Sequence, residues 1–241
     1  MKILEKIKDK QNDIHGAKPV TIAFLGDSVT QGCFDIFYDE NGKIQTFFEP
    51  KNAYSQRLKE ILNILYPSVQ INIINSGISG DSASGGLKRV DRDVLSYNPD
   101  LVVISYGLND VTFDKKGLET YIESLKALFK KVKESGAECI FMSQNYYNNT
   151  ISCHLPKGAE ELAQNLMKRQ KEGLLKEYYQ NAIKLALDMD VKVCDVYKKW
   201  EAMEKGGVNV TNLLANKLNH PIPELHYLFA YSLLEVMFDL V

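Results

Sequence analysis

The chain has 241 residues, 45% of them apolar, and a formal net charge of −2. That length and apolar share fit one compact domain with a sizeable core, and the near-cancelling charges exclude the broad basic field that nucleic acid or an anionic membrane surface requires. The partner to expect is a small neutral or weakly charged molecule, with neither nucleic acid nor stable membrane insertion.

Residues 1–18 mix charged and apolar positions, without the continuous apolar core of a secretory signal or the ~20 apolar residues of a membrane span. They read as a polar leader or an N-terminal helix on a single domain over 1–241, in a soluble cytoplasmic protein. Run 20–25 is apolar and β-branched, as a buried strand is, and 33–52 is a long irregular stretch rich in Phe and Tyr. A helical pattern at 55–66 separates it from a second strand at 69–74, and a third follows at 101–105. Leu118, Tyr121, Ile122, Leu125, Leu128, Phe129 and Val132 recur at helical spacing, with Gly136 where a helix stop belongs. Strand 139–143, loop 146–158, helix 160–188, strand 191–196 and an apolar helix over 223–238 complete the order. Five buried parallel strands alternating with helices give an α/β layered fold, with right-handed crossovers and helices on both faces.

The four cysteines, Cys33, Cys139, Cys153 and Cys194, lie far apart with no CxxC, and read as free thiols rather than metal ligands. HExxH, the phosphate-binding loop and GxSxG are absent.

In an open parallel sheet, ligands bind beyond the carboxyl ends of the strands, where the topology switches direction. Strand one runs into Gly26-Asp27-Ser28, strand two into Gly77-Ile78-Ser79-Gly80-Asp81, and strand three into Gly107-Leu108-Asn109-Asp110. A serine at such an edge can project its hydroxyl into the crevice, with backbone N–H groups nearby to meet developing negative charge. Gly80 permits close backbone approach, and Asn109 offers a neutral, directional donor. With the Ser28 N–H they supply three donors for an oxyanion. Of four histidines, His15 and His154 sit in polar segments and are assigned to solvent, and His226 to packing or capping inside the last helix. His220, in Asn219-His220-Pro221 just before that helix, is the base; the helix N-terminus disfavours its imidazolium. Asp27 is expected to brace its turn, and Arg89 and Asp110 to pair within the scaffold.

These blocks resemble the SGNH, or GDSL, hydrolase superfamily, through Gly26-Asp27-Ser28, the Gly80 block, Gly107-Leu108-Asn109-Asp110 and His220-Pro221. The resemblance implies a three-layer α/β/α, flavodoxin-like fold with a five-stranded parallel sheet and no cofactor. It also implies hydrolysis of a small-molecule carboxylic ester through an acyl-enzyme. The superfamily usually has an aspartate three residues before the histidine, but this chain has Lys217 there, a cationic donor unable to orient the ring. Asn216, Asn219, Glu224, Asp195 or a backbone carbonyl could accept the ring N–H instead. A carbonyl or an Asn side chain is expected, leaving a Ser–His dyad. The pattern Asn-x-x-Asn-His-Pro is similar to a subgroup lacking the aspartate.

The resulting expectation is a serine esterase for short acyl groups, acetyl above all, on a carbohydrate or similar small substrate. Asn145, Tyr146, Tyr147, Asn148 and Asn149 would then form a sugar-binding rim. A lysophospholipase or thioesterase is the alternative, with Phe34, Ile36, Phe37, Tyr38, Phe47 and Phe48 as acyl channel or lid, or else as plain packing. A non-catalytic binding relative that lost the triad acid is the third.

Overall fold

The structure, a computed structural model, describes residues 1–240. The apolar runs form strands β1 (Val20–Gly26), β4 (Ile71–Gly77), β5 (Leu101–Ser105), β6 (Glu138–Ser143) and β7 (Lys192–Asp195), with a hairpin of β2 (Cys33–Tyr38) and β3 (Ile44–Phe48) between the first two. The five form one parallel sheet in the order β4-β1-β5-β6-β7. Every residue of β5 is buried, and only Thr21 of β1 is not, which is why these strands read as continuous apolar runs.

The helices follow in chain order as α1 (Lys2–Asn12), the single turn α2 (Ser28–Gln31), α3 (Tyr54–Leu65), α4 (Ala83–Asp93), α5 (Asp114–Glu134), α6 (Glu160–Lys171), α7 (Leu174–Asp188), α8 (Val196–Lys205) and α9 (His226–Met237). The chain steps outward from β1 to β4, then reverses across β1 to β5, β6 and β7. With right-handed crossovers, that reversal sends α3 to one face and α4, α5 and α7 to the other. Accordingly α4, α5 and α7 pack in succession, while α9 bridges α3 and α8. This is the three-layer α/β/α arrangement expected.

One alternative is decided and two local expectations change. Of the two readings of the first residues, polar leader or N-terminal helix, the structure has the helix, packed against the core. Ile3 and Ile7 of α1 are buried one turn apart, and the Glu138 carboxylate accepts the free N–H groups of Lys2 and Ile3 at 3.0 and 2.7 Å. The stretch 33–52 is largely an antiparallel hairpin, with a β-bulge between Cys33 and Asp35. Its turn was written in Asn41-Gly42, where Asp39 Oδ1 accepts the N–H groups of Asn41 and Lys43, both at 2.9 Å. Finally, 160–188 is two helices, because Gly173 adopts φ 73° and ends the first.

Candidate active site

The carboxyl ends of β1, β4 and β5 lie side by side, since Gly26 pairs with Gly77 on one flank and Ser105 on the other. This is the topological switch point, and all three polar clusters extend from it. One buried cation ties them together. Arg89, on α4, donates to the carbonyls of Gly26 (3.1 Å) and Ser76 (2.7 Å), to the Asp81 carboxylate (2.8 Å) and to the Tyr106 hydroxyl (2.9 Å). It therefore holds the strand ends leading to Ser28, Gly80 and Asn109, the scaffold role expected of it.

Ser28 opens α2 and is 5% exposed. As the first residue of a helical turn, its N–H has no intrahelical partner. Asp27, fully buried just before it, accepts from Val29 N–H (3.0 Å) and Gln144 Nε2 (2.9 Å). That is the bracing role. Burial lifts the Asp27 carboxyl to about 7. Asp110 is lifted to about 7 by the same cause, while its Oδ1 caps α4 by accepting Ala83 N–H at 3.0 Å.

Gly80 adopts φ 77°, and a Cβ built there would meet nothing within 4 Å. The glycine is thus needed for its left-handed backbone rather than to relieve crowding on its Cβ side. The Asn109 amide nitrogen donates to the Asp81 carbonyl at 2.8 Å, which fixes the amide plane and leaves its second hydrogen for another acceptor.

The structure brings His220 to Ser28 across 192 residues of chain, with Nε2 at 2.8 Å from Oγ. His220 sits on a tight loop, closed by Ala215 N–H to its own carbonyl (2.7 Å) and by Ile222 N–H to Leu213 (3.0 Å). The ring is buried, and desolvation lowers it to about 4, so it is neutral at pH 7. Burial, rather than the helix N-terminus, is the cause. A hydroxyl hydrogen-bonded to a neutral imidazole is the pairing a nucleophile and its base require.

The other face of the ring meets an Asn side chain, one of the two groups expected, but through the nitrogen of its amide. Neither a backbone carbonyl nor an amide oxygen meets Nδ1. The nearest partner is the amide nitrogen of Asn216 at 2.9 Å, with Cys33 Sγ at 3.8 Å. Lys217 takes the left-handed conformation, φ 60°, and its Nζ donates to the Asn212 carbonyl at 3.3 Å.

The proposed sugar rim is also overturned. Asn145, Tyr146, Tyr147 and Asn148 are at most 3% exposed. Asn145 Nδ2 donates to the carbonyls of Tyr146 and Asn219, the Tyr147 hydroxyl to Leu108, and Asn148 Nδ2 to Ala163. Asn149 is half-buried and bonded to Thr211 and Glu204. The side chains of Asn145, Tyr147 and Asn148 thus satisfy buried backbone carbonyls, which must find partners. His226 is a packing residue, as expected, with Nδ1 accepting Tyr54 N–H at 3.0 Å at the start of α3. His15 and His154 are exposed, and all four cysteines are free, with only Cys153 exposed. Among the described residues no group of three or more His, Cys, Asp or Glu side chains is placed to hold a metal, and no helix is long and apolar enough to cross a membrane.

Sequence reasoning missed Gln144 and Gln31. The first bridges Asp27 and Leu108 N–H, and the second accepts Ser79 N–H at 2.7 Å through Oε1. Neither lies in a recognisable motif.

An acetylxylan esterase of Geobacillus stearothermophilus is 29% identical over 134 residues, which cover 52% of this chain and 59% of that protein. An arylesterase of Vibrio mimicus is 32% identical over 106 residues, covering 40% and 52%. The matched segments thus span little more than half the length of these curated relatives. Among solved structures, a two-domain esterase active on acetylated mannans superposes with a TM-score of 0.66 at 21% identity, over 98% of this chain and 52% of that one. A crystal structure of the Geobacillus acetylxylan esterase gives 0.65 at 21% identity, over 90% and 94%. These likenesses establish a common fold. The model of the GDSL-like lipase/acylhydrolase family matches residues 24–228, a span that holds all four sequence blocks, and the chain belongs to that family.

Proposed function

We propose that the chain is a serine ester hydrolase, acting through an acyl-enzyme on short acyl groups, acetyl above all, carried by a carbohydrate or similar small molecule. The observation that carries the reading is the 2.8 Å contact between Ser28 Oγ and His220 Nε2, buried at the switch point beside the Gly80 and Asn109 loops. In this reading Ser28 Oγ attacks the ester carbonyl and its proton passes to Nε2 when that nitrogen is free to take it. The oxyanion is met by the N–H groups of Ser28 and Gly80 and by the second amide hydrogen of Asn109. The proton on His220 then goes to the departing alcohol, and the same ring activates the water that releases the acid.

For the substrate, the support is the named activities of the relatives; a cleft of about 290 Å³ reaches Asn216, the Nδ1 neighbour of His220, but is lined by neither Ser28 nor His220. Asp35, Tyr38, His154 and Lys157 give it polar walls, and Asn216 lies on its lining. A second reading, hydrolysis of longer acyl chains, is favoured by Phe37, Ile44 and Phe47, each about half exposed on the hairpin. A p-nitrophenyl ester series separates the two. Turnover greatest at acetate supports the first, and turnover rising steadily with chain length refutes it. Ser28→Ala should abolish labelling by a fluorophosphonate and lower turnover by several orders of magnitude with the fold intact. A wild-type serine that never labels would instead identify a non-catalytic relative.

A further inference from the structure

The amide of Asn216 can be oriented in only one way. It is 1% exposed, and its Oδ1 receives the backbone N–H groups of Leu218, Asn219 and His220, each at 3.0 Å. Three N–H donors converge only on an acceptor, so the oxygen is committed to the loop. The nitrogen is left 2.9 Å from His220 Nδ1 and 3.0 Å from Asn219 Oδ1. Reversing the amide would point its two hydrogens at three other N–H groups and leave all of them buried without acceptors. Nδ1 therefore accepts. A neutral imidazole carries hydrogen on one nitrogen only, so the hydrogen lies on Nε2 and is directed at Ser28 Oγ.

We propose that Asn216 is a positioning residue that holds His220 as its Nε2–H tautomer, so that the resting serine receives the hydrogen bond it must donate in order to attack. The proposal rests on the Ser28–His220 hydrolase reading and deepens it. Attack needs hydrogen on Nδ1 and a bare Nε2. In this chain an Nδ1–H would meet the Asn216 N–H head-on, with Cys33 Sγ at 3.8 Å as a weak alternative acceptor. An aspartate at 216 would resolve the conflict. One oxygen would keep the three loop N–H groups, and the other would accept from Nδ1. In a Ser-His-Asp protease, exchanging the orienting acid for its amide lowers turnover about 10⁴-fold by imposing the wrong tautomer. The reverse exchange here should raise kcat by about 100-fold or more, with little change in KM.

The test combines tautomer and turnover on the full chain. With ¹⁵N-labelled imidazoles, and the His220 signals assigned from their loss in His220→Ala, the unmodified chain should show a bare Nδ1 and a protonated Nε2. Asn216→Asp should show the opposite, and should hydrolyse p-nitrophenyl acetate faster. Asn216→Ala can offer neither group and should show no such gain. A protonated Nδ1 in the unmodified chain would overturn the proposal, as would an equal gain in the alanine variant, or unchanged kcat in Asn216→Asp when the unmodified chain is active. If the tautomers switch as stated while no ester is hydrolysed by either chain, the positioning role stands and the esterase reading falls.

Discussion

Asn109 carries two hydrogens on its amide nitrogen, and the fold uses one of them, on the Asp81 carbonyl at 2.8 Å. The other serves the oxyanion in the proposed reaction, a charge that exists only after attack begins. Asn109→Ala should therefore lower kcat for p-nitrophenyl acetate by about 100-fold or more, with KM nearly unchanged, because such a donor acts on the transition state rather than on the bound ester. Steady-state rates decide it, and a change confined to KM would contradict the role. Ser28, Gly80, Asn109 and His220 could be picked out as candidates from the sequence because each follows a strand end or lies in the final loop, and the structure brings the first and last of them into contact. Asn216 was legible only as one acceptor among several. Which end of an amide faces a ring depends on the loop N–H groups around it, and those exist only once Lys217 has turned left-handed.

Three strand ends make the site, and Arg89 is the element-scale link between them. Its side chain is 8% exposed and its partner Asp81 13%. Arg89→Met would leave that carboxylate, and the carbonyls of Gly26 and Ser76, without their shared donor. Breaking a buried pair on one side costs about 3–5 kcal/mol. A fall in the urea midpoint of matching size, at unchanged slope, is the expected result, together with reduced kcat as the loops loosen. At this scale the sequence was read best where burial enforces pattern, as in β1 and β5, and worst where a local turn decides. The hairpin β2–β3 alternates buried and exposed positions only in part, with Phe34 and Ile36 inside and Phe37 outside, and its bulge breaks the period. The long helix expected at 160–188 divides at one glycine, a change that apolar periodicity cannot register.

Across the whole molecule, buried titratable groups of opposite kind offset each other. Asp27 and Asp110 are lifted to about 7, so the folded state keeps protons that the unfolded chain releases near pH 4, and stability from this source is lost as pH rises through 7. His220 and His226 are lowered to about 4 and about 3, so the unfolded chain takes up protons first, and stability is lost as pH falls below 6.5. The two effects oppose each other between about pH 4 and 6.5. Removing one member exposes the other. Asp110→Asn should gain stability over the unmodified chain as pH rises from 4 to 7, by up to about 4 kcal/mol, in urea titrations at stepped pH. A difference that does not vary with pH would rule out the lifted carboxyl. The cysteines lend themselves to measurement in another way. Cys33, Cys139 and Cys194 are enclosed, and burial raises all three thiols, Cys33 to about 12. Cys153 alone faces water, one residue from the His154 wall of the cleft. The native chain should thus take up one equivalent of a maleimide dye, and the unfolded chain four. That gives a fluorescent reporter next to His154 with no engineered cysteine, whose emission would test whether a ligand enters that cleft, even in a variant too slow to assay.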